Sequence, residues 1–442
     1  MSNYFKYIPL LLVVTTILVF VPTFFNDFQR GWDDTWQVLE NPFVSNHSIE
    51  DLKHHFTEFY YGQYSPVNTL IYIVLYKLFG FNAMVFHTAF LVFHIINVLF
   101  LFYILKEIIK TVNPKFENGT IRLYSGCVAL IFAIHPLQVE TVAWISASKI
   151  VLYAFFMFIA IWCYINYIKS TKIVWLIAVL LLYALSFGSK EQAIILPLNL
   201  LVFDYIYGRL TSLKFNKTLL KQRVLLEKIP FFLMAFGFWY FSSLFNLGNI
   251  IVEETYPIHQ RLLFGMHSMV EYVFRSIAPV KLYYHYFYPI EIGEKLPWFF
   301  WGYLVLTIII VGFIWSYYKR KNKLVLFGFA LFIINILLVL HILPMPRKMI
   351  TADRYMYVSI IGLAIIGVWF FKEALNTFLK YRKQLFAAGI LYLFALGVQS
   401  HYRTRAWKDS ETMKKNVQEL IEKRNVLKQP IINNPLIDRD GK

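Results

Sequence analysis

The chain has 442 residues, of which 58% are hydrophobic, 19% aromatic and only 16% charged, and its mean hydropathy is +0.54. Soluble domains are about one-quarter charged, so this composition excludes one and specifies an all-α polytopic membrane protein; a barrel would show short alternating segments in place of these long apolar runs. The net charge of +17 does not call for nucleic acid, because membrane proteins gather Lys and Arg on cytoplasmic loops and beside anionic head groups or phosphates.

The first apolar run, 7–25, lacks a small-residue cleavage site and is expected to remain as an uncleaved first helix. Further runs of spanning character lie at 84–105, 123–135, 150–168, 173–188, 191–207, 229–247, 298–318, 324–343, 355–371 and 384–400, about eleven spans in all. Lys and Arg clusters at 106–122, 169–172, 209–228, 319–323 and 372–383 assign those connections to the cytoplasm, which puts the N-terminus inside and the C-terminus outside. The two cysteines, Cys127 and Cys163, both sit in apolar runs and are expected to be free.

Between the spans, three helices are expected to lie on the membrane. Ser48 and Asp51 form a capping-box pattern ahead of a short helix in which Ile49, Leu52 and Phe56 share one face. A second runs over 67–79, between Pro66 and Gly80. The third, His259–Ala278, is long enough to span, but Arg261, Ser268, Glu271 and Arg275 make a polar stripe along it and Pro279 ends it. In the polar tail, Asp409 and Ser410 can cap a helix whose apolar stripe is Met413, Val417, Leu420 and Ile421, followed by a Pro- and Asn-containing end predicted to be disordered. The expected organisation is a transmembrane domain over 1–400, with a first external loop 26–66 and a large external segment 248–297, and a short external tail over 401–442.

Ionisable residues at membrane depth are costly and each needs a reason. Asp33 and Asp34 lie just beyond the first helix, and His135, Glu140, Lys149, Lys190, Glu191, Arg347, Lys348, Asp353 and Arg354 fall at helix ends on the same expected outer side. Singly, each has a structural account: a Lys at a helix end snorkels, a His-Pro ends a helix, and Tyr355 and Tyr357 suit an aromatic belt. Together they run against the positive-inside bias. Outward cations facing two carboxylates suit a phosphate-bearing lipid substrate, with Lys and Arg holding the phosphate and an Asp taking the acceptor proton. Sugar transfer from a polyprenyl phosphate to a hydroxyl has those needs, since its transition state is oxocarbenium-like and its leaving group is anionic. A divalent cation (Mg or Mn) between Asp33, Asp34 and the phosphate is conceivable, but nothing in the chain has metal-ligand spacing.

The stretches Trp32-Asp33-Asp34 with Glu40-Asn41-Pro42, Phe86-His87 with Phe93-His94 and Asn97, and His135-Pro136-Leu137-Gln138-Val139-Glu140 occur in that order. They are followed by Ser189-Lys190-Glu191-Gln192-Ala193, Ala352-Asp353-Arg354-Tyr355-Met356-Tyr357 and Arg403-Thr404-Arg405-Ala406-Trp407-Lys408-Asp409. As an ordered set they resemble the GT-C superfamily of multispanning glycosyltransferases, in particular the membrane part of TMTC-type protein O-mannosyltransferases and their bacterial TPR-bearing relatives. The resemblance implies a glycosyltransferase of O-mannosyl type with a polyprenyl-phosphate donor, Asp33 as base and Asp34 beside it. His135, Glu140, Lys149, Lys190, Glu191, Arg354, Tyr355 and Tyr357 would bind sugar and lipid phosphate, with Lys190 and Arg354 as phosphate contacts.

The acceptor implied is a protein Ser/Thr hydroxyl, with a glycolipid or cell-surface polysaccharide as the alternative. The chain departs from those relatives at Ser65, Ser148 and Ile150, where they show Arg, Arg and Asp, which keeps a non-catalytic subunit of a membrane complex as the reading of another class. No TPR array is present in the sequence, so a protein partner or the short tail is expected to take over its role. Usage rich in Lys, Ile, Asn and Phe suggests a bacterial inner membrane with the site facing the periplasm.

Overall fold

The computed structural model describes residues 4–45, 49–210, 223–247, 255–343 and 349–426. Ser48, Lys214, Lys217, Lys221, Arg347, Lys348 and the Pro430–Pro435 end therefore lie outside the described residues. The described chain is almost wholly helical: α1 (Phe5–Phe25), α2 (Ile49–Thr57), α3 (Pro66–Phe79), α4 (Ala83–Val112), α5 (Asn118–Ile134), α6 (Ile145–Ser170), α7 (Ile173–Ser189) and α8 (Leu196–Ile206) come first. They are followed by α9 (Arg223–Ser243), α10 (Ile258–Ile277), α11 (Trp298–Lys319), α12 (Lys323–Val339), α13 (Asp353–Thr377), α14 (Leu379–Trp407) and α15 (Ser410–Val426). The one sheet among the described residues pairs β1 (Tyr286–Phe287) antiparallel with β2 (Met349–Thr351).

Seven of these helices, α1, α4, α6, α9, α11, α13 and α14, are long and apolar enough to cross a membrane, and an eighth span results if α5 and Pro136–Ala143, bent by 50°, are one. The protein is thus an all-α polytopic integral membrane protein. Three expected spans are too short as single helices to cross a membrane, and two of them are also shorter than drawn from sequence. The 173–188 run is the 17-residue α7, about 25 Å long at 1.5 Å per residue against a hydrocarbon core of about 30 Å. The 324–343 run becomes α12. The 191–207 run starts as a 3₁₀ turn, Glu191–Ile195, and becomes α-helical only at Leu196, where Pro197 sits at a position that needs no N–H donor. Pro136 likewise ends α5 and forces the bend.

Helix α6 is the centre: 78% of its most apolar window is buried inside the protein, against 6% for α11 and 11% for α14. Those outer helices show bare Trp298, Trp301, Ile308, Ile309 and Phe394, the surface that hydrocarbon would cover. Without a hydrophobic drive between helices in lipid, close approach has to come from small residues. Gly328 of α12 and Gly362 of α13 meet so tightly that a Cβ on Gly362 would lie 2.1 Å from the Gly328 carbonyl oxygen.

The polar stripe of α10 has a partner within the protein. Arg261 donates to the Ile342 carbonyl (2.9 Å), Ser268 to that of Ile350 (3.3 Å) and Arg275 to Thr351 Oγ1 (3.1 Å). The stripe serves the β2 strand and the chain before it. In the tail, Asp409 accepts from the Thr412 N–H (2.8 Å) and caps α15, which buries Met413 and Val417.

Candidate functional site

The loop after α1 is tied down at its start. Asn26 and Gln29 donate to the carbonyls of Thr404 (3.2 Å) and Trp407 (2.8 Å), and the Asp27 N–H to that of Lys408 (2.7 Å). Trp407 stacks on Trp144 with centroids 5.3 Å apart. The Arg403–Asp409 stretch is thus the scaffold of the first loop. Gly31 then turns the chain at φ 74°, a conformation open to glycine, and a single π-helical turn, Thr35–Leu39, follows Asp34.

The two carboxylates fare differently. Asp34 is fully buried: Oδ2 accepts from the Gln29 N–H (2.8 Å), and Oδ1 from the Ser146 N–H (2.9 Å) and the Ser146 hydroxyl. Burial pushes its carboxyl up to about 6, against the opposing pull of those hydrogen bonds and with a further push from Asp33. Asp33 is half-buried, and among the described residues its carboxylate accepts only from the Trp36 indole N–H (3.3 Å).

Opposite stand the cations. Lys149, near the start of α6, is 7% exposed and donates to Gln37 Oε1 (3.1 Å) and Gln63 Oε1. Among the described residues no carboxylate lies within 4 Å of it, yet Lys190, Asp33, Glu191 and Arg354 are near enough to act on its charge. Lys190 is also buried, with Glu191 4.0 Å away. Arg354 is a closed unit: its backbone N–H donates to Glu140 Oε2 (2.9 Å), its guanidinium pairs with Glu140 Oε1, and it lies over the Trp144 and Tyr355 rings. The field of Asp33 reaches it as well. Asp33, Lys149, Lys190, Glu191 and Arg354 with its partner Glu140 thus lie within electrostatic reach of one another, a cluster of charges (the chamber below) carried by the loop after α1, the end of α7 and the starts of α6 and α13.

Three of the expected site residues sit in or beside the packing. His135 accepts from the Leu137 N–H (3.1 Å) on Nδ1 and faces the Ser276 carbonyl (3.1 Å) with Nε2, which joins α5 to α10. Tyr357 donates to His94 Nδ1 (2.7 Å) and receives Asn97 Nδ2 (3.1 Å), a buried network linking α13 to α4. Tyr355 is buried beneath the Arg354 guanidinium. Asp353 is held by Tyr286 Oη (2.8 Å) and Arg403 (2.5 Å).

Sequence reasoning missed Gln37 and Gln63. Neutral amides break no hydrophobicity rule, and only their contact with Lys149 marks them. Among the described residues no group of three or more His, Cys, Asp or Glu side chains could hold a metal ion. Three donors already occupy Asp34, while Asp33 keeps most of its lone pairs open.

Fold and chamber together define a polytopic helical membrane protein with a buried, partly uncompensated charge cluster at one end of its bundle. A protein O-mannosyl-transferase of Caenorhabditis elegans is 23% identical to the chain over 420 residues, an alignment that takes in 90% of this chain and 56% of the relative. The chain thus spans little more than half the length of that curated relative. No protein-family model matches it.

Proposed function

We propose that the protein is a membrane glycosyltransferase of the GT-C type that moves a sugar, of the mannosyl kind, from a polyprenyl-phosphate donor to a hydroxyl acceptor, a protein Ser or Thr. The observation that carries this reading is a half-buried carboxylate, Asp33, within electrostatic reach of a buried lysine, Lys149, whose hydrogen-bond partners among the described residues are amide oxygens. A buried cation without a counter-ion is costly, and a phosphate would supply that charge. The distant similarity to a protein O-mannosyl-transferase supports the same class of reaction.

In the step we envisage, the acceptor hydroxyl attacks the anomeric carbon as Asp33 takes its proton. The bond from that carbon to the phosphate oxygen breaks, and the phosphate leaves with the electron pair. Lys149 and Lys190 stabilise the charge that develops there. Arg354, already paired with Glu140, orients the chamber wall, and Asp34 holds the Asp33 loop against α6. The chamber would open to the outer side of the membrane, the periplasm of a bacterial inner membrane.

The test uses purified protein in nanodiscs, a polyprenyl-phosphate-mannose donor and a Ser/Thr peptide, with transfer read by mass spectrometry. Transfer that vanishes in Asp33→Asn supports the reading. Full turnover in that variant, or none in the wild type with peptide, glycolipid or polysaccharide acceptors, removes it.

A further inference from the structure

Beside the chamber the same loop encloses a second space. Tyr60 and Gln63 exchange backbone hydrogen bonds (3.0 Å each) across Tyr61-Gly62, whose φ values are 48° and 71°. Two successive positive φ angles are those of a type I′ turn, which suits a twisted hairpin; a bulky Tyr in the left-handed region is rare. This turn brings Gln63 opposite Tyr60, and both line a small, partly open cleft together with Trp36, Gln37, His55 and Glu58.

The orientation of the amides follows from Lys149. Lys149 donates to the side-chain oxygens of Gln37 and Gln63, so their NH₂ groups point elsewhere. For Gln37, which is 6% exposed and lines the cleft, that leaves a buried Nε2 with no partner among the described residues. An unpaired buried donor costs about 1–3 kcal/mol, and an acceptor oxygen would remove that cost.

The rest of the lining narrows the ligand. Trp36 and Tyr60 supply aromatic faces, their centroids 6.2 Å apart, and Glu58 supplies a carboxylate. Among the described residues no Lys or Arg lines the cleft. An anion would meet the Glu58 carboxylate directly, with Lys149 set behind the Gln37 and Gln63 amides, and a lipid tail would strand the amide.

We propose that this cleft is a subsite for a neutral saccharide, whose hydroxyl oxygens accept from Gln37, whose hydroxyl hydrogens reach Glu58, and whose C–H face lies on the aromatic rings. The assignment rests on the transferase reading for its place in the reaction, as the seat of donor or acceptor sugar next to Asp33. Trp36 connects the two, with its ring in the cleft wall and its N–H on Asp33.

The test is binding of methyl α-mannoside and methyl α-glucoside to the full protein in nanodiscs, by saturation-transfer NMR, with inorganic phosphate as competitor. We expect binding that phosphate does not displace, weakened about tenfold by Gln37→Leu, the loss of one good hydrogen bond. A comparable loss is expected in Tyr60→Ala, which removes an aromatic wall on an exposed turn that can change without unfolding the bundle. Absence of glycoside binding by the wild type, displacement by phosphate, or indifference to both substitutions overturns the subsite. Should transfer proceed while no glycoside binds, the subsite falls and the transferase reading stands. Should glycoside binding depend on Gln37 while no polyprenyl donor is ever used, the subsite stands and the transferase reading falls.

Discussion

Two clusters of buried charge in this protein are built from the same kinds of residue and end up in opposite states. Where α8 meets α9, Asp204 receives Arg209 (2.7 Å) and Lys228 (2.7 Å), Arg209 also reaches Glu227 (2.6 Å), and Tyr164 donates to Asp204 (2.7 Å). Each of these charges has an opposite charge against it, and Lys228 and Asp204 are wholly buried. In the chamber, Lys149 is buried almost as deeply and touches only amide oxygens, while Asp33 accepts only from an indole among the described residues. The first cluster is self-neutralising and suits a structural tie between helices. The second is incomplete by itself, the condition expected of a site that receives a charged ligand.

That contrast can be broken most sharply through Asp33. In the nanodisc assay we expect Asp33→Asn to lower transfer by about 100-fold or more, the range of general-base catalysis, with an unchanged elution profile and melting temperature. Loss of folding along with activity would make Asp33 a structural residue and erase the difference between the clusters. At the other cluster, Lys228→Ala should cost about 3–5 kcal/mol of stability, read by denaturant titration in detergent, because Asp204 is left buried with half its charge partners. Lys149→Met should instead change stability by only about 1 kcal/mol while weakening polyprenyl-phosphate binding about tenfold, measured by direct titration of the lipid phosphate. A stability loss as large as that of Lys228→Ala would mean that Lys149, too, is structural.

The gentlest test is one of pH. The Asp34 carboxyl titrates near 6 in the folded protein and near its ordinary value of 3.8 when unfolded, so the folded state holds more protons between those limits. Its contribution to stability is fully present below about pH 4 and is lost as pH rises to about 6, by up to roughly 1.4 kcal/mol per pH unit. Asp34→Asn should flatten that part of the profile. A wild-type stability that rises over the same interval would show that Asp34 is not buried as described.

Much of the fold was legible in the sequence, and the reason is physical. Hydrocarbon demands long apolar helices, and α1, α4, α6, α13 and α14 lie where the apolar runs put them. Local capping chemistry was also readable: Asp409 caps α15, and the stripe that starts with Met413 and Val417 packs inward. The stripe on α10 was visible, but its partner was not. Arg261, Ser268 and Arg275 meet the carbonyls and hydroxyl of the 342–351 segment, far along the chain, and no local pattern encodes such a meeting. The charged residues of the chamber were named from their excess on one expected side of the membrane. Their individual states were beyond reach, since Asp33 and Asp34 are identical in type and adjacent in the chain, while Ser146 engages only one of them.

The sequence by itself determined that this chain is a helical membrane protein and that acids and bases collect at one set of helix ends, because the cost of polar groups in lipid acts on composition and spacing alone. Tertiary structure alone decided which of those groups are spent on one another. Glu140 satisfies Arg354, Ser146 satisfies Asp34, and Lys149 is left to two glutamines, since pairing depends on which helix ends converge in space.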